Sequence, residues 1–402
     1  GPAGEHHEVA PGREHARGEL LEVRARGGLD DQVGRLDERV ELEERRRVGE
    51  RLEEPLGAFA VARERARELE AGEPLVERAT DGAADHAEPG HADLSRPVHG
   101  ARMISCRAER RMTRALELRD ALERLYREFD YRARIERDAI RFPLRYDDPR
   151  DREVVGLLAA CLAYGRVDLF GPQLERVLAA MGPAPAAFVA HFDPARDAAA
   201  FAGFRYRFTR PRDLVAFCVA TRQVLERYGS LEKCFLAGDS DPAGPIGPAL
   251  ERFARAFREA DLRGVFPRGR LSRGFRHLFP LPSDGGPCKR LHLFLRWMVR
   301  REPPDFGLWT SVSPARLVIP VDTHVENMSR AIGLTRRRAR TWAMAEEITA
   351  RLAALDPSDP VKYDFALCHT RMAGACRDRR DARVCPPCGL RPVCRHWSRR
   401  RG

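Results

Sequence analysis

The sequence predicts an all-α fold, on three observations. From Met112 onward apolar residues recur at helical spacing, strand-like alternation is almost absent, and the connections are rich in Pro and Gly. Leu118, Leu122, Leu125 and Phe129 mark the first amphipathic helix. Asp148-Pro149 is a helix start signal, and the Val154–Tyr164 segment behind it is apolar enough to be central. A third helix fits Leu214–Tyr228 and is stopped by Gly229. Further helices fit Leu250–Phe257, Cys288–Arg300, Thr323–Ile332, Arg340–Leu355 and Pro360–Met372, the last with Asp359 as its cap and Pro360 in its first turn.

Composition divides the chain. Residues 1–102 contain no Cys, Met, Trp, Tyr, Ile or Lys, and carry 16 Arg against 24 Asp plus Glu, a formal −8. Such a segment cannot offset its ordering entropy by burial. It is expected to be a disordered acidic leader or the translation of a GC-rich region upstream of the true start, with the composition favouring the second. Residues 1–111 are therefore set aside as leader, 112–375 form the helical domain, and 376–402 form a cysteine loop with a basic tail. Taking −8 from the whole-chain +11 leaves +19 on residues 103–402. That balance points to a polyanionic partner. No apolar run reaches membrane-spanning length.

Four cysteines, Cys376, Cys385, Cys388 and Cys394, are spaced C-x8-C-x2-C-x5-C among six arginines, including Arg379 and Arg380. A loop this short cannot order itself by apolar burial, so four thiolates on one centre are the expected way to fold it. Disulfides fit poorly with six further cysteines scattered as in a reduced protein. Spacing alone leaves zinc and iron–sulfur both open, although only Cys385 and Cys388 form the close knuckle usual for zinc, and a single wrapping loop suits a cubane better.

Two short segments carry candidate chemistry. In Leu281-Pro-Ser-Asp-Gly-Gly-Pro-Cys-Lys289, the turn at Gly285 and Gly286 opens into a helix, and backbone N–H groups freed at a helix start suit a phosphate. Lys289 is one of three lysines against 68 arginines. Arginine cannot lose its proton, whereas a lysine amine can become a neutral nucleophile. The second segment is Ile319-Pro-Val-Asp-Thr-His-Val325, where Asp322 occupies an N-cap position. Read alone, Asp322 is a cap and His324 a packed or hydrogen-bonded side chain.

Taken together, the glycine turn before Lys289, the Pro-Val-Asp-Thr-His loop and the four-cysteine loop resemble the helix-hairpin-helix DNA glycosylases of the endonuclease III type over about residues 270–398. From about residue 115, Phe-Pro-Leu-Arg-Tyr at 142–146, Ala-Tyr-Gly-Arg at 163–166 and the Cys288–Arg300 segment look like an uncharacterised bacterial family, domain of unknown function 2400. The broader resemblance implies a two-lobed helical fold with a C-terminal iron–sulfur loop, and base excision on double-stranded, damaged DNA by a monomer in the bacterial cytoplasm and nucleoid. It implies Lys289 as the nucleophile at the sugar C1′ and Asp322 as the aspartate assisting glycosidic cleavage. Gly285, Gly286, Arg290, Arg379 and Arg380 would contact DNA, and Cys376, Cys385, Cys388 and Cys394 would ligate a [4Fe–4S] cluster. The hairpin departs from that family's usual form in its length and in Pro287, which has no N–H to donate. A non-catalytic DNA-structure or damage-binding iron–sulfur protein and a zinc-stabilised nucleic-acid module are the alternatives.

Overall fold

Asp148 and Pro149 start the central helix as their chemistry requires. The Asp148 side chain accepts the Arg150 N–H, Pro149 occupies the first turn, and the helix buries eleven of its residues through Leu162. In the computed structural model, which describes residues 99–398, this helix is the third of fifteen. In chain order they are α1 (His99–Glu128), α2 (Arg132–Ile135), α3 (Pro149–Leu162), α4 (Val167–Met181), α5 (Pro185–Ala190), α6 (Pro194–Asp197), α7 (Pro211–Tyr228) and α8 (Leu231–Ala237). Then come α9 (Gly247–Arg258), α10 (Arg273–Leu278), α11 (Lys289–Val299), α12 (Thr323–Ile332), α13 (Trp342–Ala353), α14 (Asp364–Met372) and α15 (Arg395–Ser398). Among the described residues the one β pairing is an isolated bridge between Tyr206 and Thr209, so the expected all-α class is what is found. No described helix is long and apolar enough to cross a membrane.

The described residues all belong to one compact unit. Helix α3 packs on α11, α12 on α14, and α7 on α8, α9 and α10. Buried Glu153 on α3 ties distant parts together: it accepts the Trp309 indole N–H and, at 3.3 Å, the N–H groups of Leu231 and Glu232 at the start of α8. Burial raises the Glu153 carboxyl above its ordinary range even so. Most of the expected leader, residues 1–98, lies outside the described residues. Helix α1 starts at His99 and runs unbroken past residue 112.

One expected start is displaced. Asp359 and Pro360 do not open the last long helix, because the Asp359 carboxylate is taken by Arg300 Nε at 2.9 and 3.0 Å. Residues 360–363 form a turn, and α14 begins at Asp364. This exchange belongs to a buried charge network. Arg296 Nε donates to Asp305 at 3.1 Å, Arg296 also pairs with Asp364, and Arg300 with Asp305. Both guanidiniums are held above their ordinary range because the three carboxylates outweigh the desolvation that pulls them down.

Removing one member of such a buried network strands the others without compensation. Asp305→Ala is expected to lower unfolding free energy by about 3–5 kcal/mol, with little relief from added salt, as checked by urea denaturation.

Candidate active site at the Lys289 and Asp322 loops

Two helix starts meet at one point. Before α11 the chain makes a single 3₁₀ turn over Pro282–Asp284, and Gly285 then takes φ +73°, a conformation only glycine adopts freely. Cys288 follows at φ +42°, and Lys289 is the first helical residue. The turn is anchored by the Gly285 carbonyl, which accepts the Trp342 N–H of α13 at 3.0 Å. A Cβ at Gly285 or Gly286 would meet nothing within 4 Å, so the turn faces open space. As an anion grip the turn is compromised. Glu251 accepts both the N–H and the hydroxyl of Ser283 at 2.9 Å, and Asp284 stands 3.5 Å from Arg258.

Asp322 precedes α12 in extended conformation and caps it. Its Oδ1 accepts the N–H groups of His324 at 2.8 Å and Val325 at 2.9 Å. That leaves Oδ2, which stands 3.9 Å from Lys289 Nζ and accepts the Cys368 thiol at 3.7 Å. The Lys289 amine also donates to the Ala163 carbonyl at 3.2 Å. Lys289 and Asp322 are 26% and 25% exposed, deep enough to be held and open enough to be reached. Positions 33 residues apart in sequence are thus closed into one pair.

Side chains that sequence reasoning did not select surround this pair. Burial raises the Cys368 thiol far above its ordinary range, which keeps it a hydrogen-bond donor to Asp322. Asp364, four residues earlier on α14, feels Asp322 and Lys289 from behind, and burial pushes it up to about 6 against the pull of Arg296. Its Oδ1 is buried without a hydrogen-bond partner. Asp364 and Cys368 share one helix face by their i, i+4 spacing, which is the signal that could have flagged them. Ala163 is fixed by its neighbour Tyr164, whose hydroxyl meets Thr209 Oγ1 at 2.6 Å and whose carbonyl accepts the Tyr206 hydroxyl. On the other side His324 Nδ1 lies 3.1 Å from Arg371, and burial pulls its imidazole below the ordinary range.

Arg290 corrects an expectation. Rather than facing DNA, its guanidinium is buried, donating to the Cys161 carbonyl at 3.1 Å and to the His277 carbonyl, with its face over the Tyr164 ring. Burial lowers it to about 10. Arg379 and Arg380 are exposed, Arg380 lying over the Trp397 ring at 4.4 Å.

Cys376, Cys385, Cys388 and Cys394 are free thiols on one loop. They sense one another: Cys394 and Cys388 help raise Cys376, and Cys394 and Cys385 help raise Cys388, after burial in each case. Among the described residues, however, no three His, Cys, Asp or Glu side chains are gathered as a metal would require. The donor set, four thiols on one short loop, suits a thiophilic centre in kind.

Residues 138–373 match the family described as "Protein of unknown function (DUF2400)", and with more than half of the chain covered, the chain belongs to that family. No curated protein and no solved structure matches it.

The division of labour at Asp322 can be measured. Asp322→Asn keeps an oxygen for the cap and should unfold within a few tenths of a kcal/mol of wild type, whereas Asp322→Ala should lose about 1 kcal/mol in thermal unfolding. Arg290→Ala should be destabilising because it opens a buried site, and should not act as a surface change.

Proposed function

We propose that this member of the family is a DNA glycosylase with abasic-site lyase activity, working through Lys289 and Asp322 on damaged duplex DNA. The observation that carries the reading is the pairing of Lys289 Nζ with the uncapped oxygen of Asp322 at 3.9 Å, in a partly open site between two helix starts. The resemblance to helix-hairpin-helix glycosylases and the basic balance of residues 103–402 support it.

The chemistry asks for both groups. A base must leave the stack before its glycosidic bond is reached. The Lys289 amine gives up a proton, for which Asp322 Oδ2 is the facing acceptor, and its lone pair bonds to C1′ of the sugar. The bond from C1′ to the base nitrogen breaks, and the base departs with that electron pair and takes up a proton. The nitrogen then loses one proton and its lone pair breaks the C1′–O4′ bond, O4′ takes up a proton, and a protonated imine remains; loss of a C2′ proton lets the C3′–O bond break and the 3′ phosphate depart. Asp322 passes the proton it took from Lys289 to the departing base, and the carboxylate so restored stabilises the positive charge on the sugar, as carboxylates do in sugar hydrolysis. Cys368 and the two capping N–H groups hold that carboxylate in place.

Cys376, Cys385, Cys388 and Cys394 would hold a [4Fe–4S] cluster, or zinc as the alternative. Such a group orders its loop and so presents Arg379 and Arg380. One observation favours a second reading, a DNA-binding protein without catalysis. The cap at Oδ1 and the Lys289 bond to Ala163 account for both residues structurally.

Sodium borohydride should trap wild type on abasic duplex as an adduct that survives denaturation. Lys289→Arg should bind the duplex nearly as well and give no adduct, because guanidinium stays protonated. Asp322→Asn should slow base release by roughly a hundredfold or more. Absence of any adduct or base release across a panel of damaged duplexes, with tight binding retained, would favour the non-catalytic reading.

Anaerobically purified protein should be brown and contain about four irons per chain. Stoichiometric zinc in a colourless preparation would move the loop to the alternative.

A further inference from the structure

We propose that the groove enclosed by Arg114, Arg330, Arg336, Arg338, Arg395 and His396 is a binding site for two or more phosphate groups of one ligand. The groove has a volume of about 710 Å³, the size of a small-molecule site. It collects five guanidiniums and an imidazole from α1, from α12 with the loop after it, and from α15. None of the residues at the Lys289 pocket lines it. Arg330 sits eight residues beyond Asp322, about 12 Å along the axis of α12 at 1.5 Å per residue.

The charge in this groove is poorly compensated from within. Its only carboxylate, Asp378, is already engaged by Arg371 Nε at 3.0 Å and by Asn327 at 3.4 Å. Arg330 has Glu326 at 3.4 Å on its own helix. Arg114, Arg336 and Arg338 are exposed and make no ion pair or hydrogen bond among the described residues. Like charges gathered in one concavity repel, and an anion entering between them relieves that repulsion. Guanidinium forks match phosphate oxygens two at a time.

The backbone is also shaped for it. Gly333 ends α12 at φ +87°, and a Cβ there would come within 2.7 Å of Arg395 Nη2. Glycine therefore lets the Arg395 guanidinium lie against the helix end, on the wall of the groove. No Phe, Tyr or Trp lines the groove, and the His396 imidazole is its one ring. Recognition is by phosphate. A nucleic-acid strand and a free oligophosphate present the same chemistry, and the experiment separates them.

Inorganic triphosphate is titrated into the full chain by calorimetry at fixed ionic strength, and a fluorescent single-stranded oligonucleotide is followed by anisotropy with and without triphosphate. The double variant Arg336→Ala/Arg338→Ala should weaken triphosphate about a hundredfold, roughly tenfold per guanidinium. A control with equal charge loss, Arg268→Ala/Arg270→Ala, should change it by less than about twofold. Oligonucleotide displaced by triphosphate and lost in the same double variant identifies a strand as the ligand, and oligonucleotide indifferent to both identifies a free oligophosphate. No triphosphate binding by wild type, or an equal loss in the control, would overturn the site. Lys289→Arg should bind triphosphate as wild type does, so failure of the proposed reaction and failure of the groove are told apart.

Discussion

Arg296 and Arg300 are buried charges on one helix end, and the rest of the site depends on where their partners sit. Two guanidiniums below the surface would be untenable without Asp305, Asp359 and Asp364 around them. The three carboxylates come from the segment after α11, the turn before α14 and the first residue of α14. Satisfying the arginines therefore fixes α14 against α11. Lys289 opens α11, and Cys368 lies one turn into α14, so the same register brings the amine and the thiol to one oxygen of Asp322, Oδ2. A charge network with no substrate to touch in this way sets the geometry of a pair that could have one.

Asp322 divides one carboxylate between a helix cap and a contact with Lys289. Two backbone N–H groups take Oδ1 and immobilise the side chain. Oδ2 is then held in one direction, toward Lys289, at no additional ordering cost. A cap is thus a means of preorganisation, and capping is physically compatible with the role proposed for Asp322.

Much of the fold was legible because its signals are local. Asp148-Pro149, Gly229 and the Asp322 loop act within a few residues, and each does what its chemistry suggests. The failures have a common cause in long-range demand. Asp359-Pro360 carries every local mark of a helix start, yet Arg300, 59 residues earlier, claims the carboxylate. Arg290 follows a lysine at a helix opening and looks like a surface cation, but its acceptor Cys161 is 129 residues away. Cys368 and Asp364 carry no motif, and their importance exists only after α14 is packed on α12. The short helices α5, α8 and α10 have too few turns to show a period.

Burial of so many arginines raises the question whether the positive balance of the chain still faces outward. Arg296 and Arg300 sit among three aspartates, and Arg316 is paired with Asp239 at 2.6 and 2.8 Å. These interior groups remove at least as much acid as base from the surface count. Arg290 alone is buried with no carboxylate beside it, relying on carbonyls and the Tyr164 ring. The excess of base over acid is therefore displayed almost whole on the exterior, with much of it between Arg336 and Arg395. The cysteine loop and the groove beside α12 are therefore regions of dense positive charge, which follows from where the carboxylates lie.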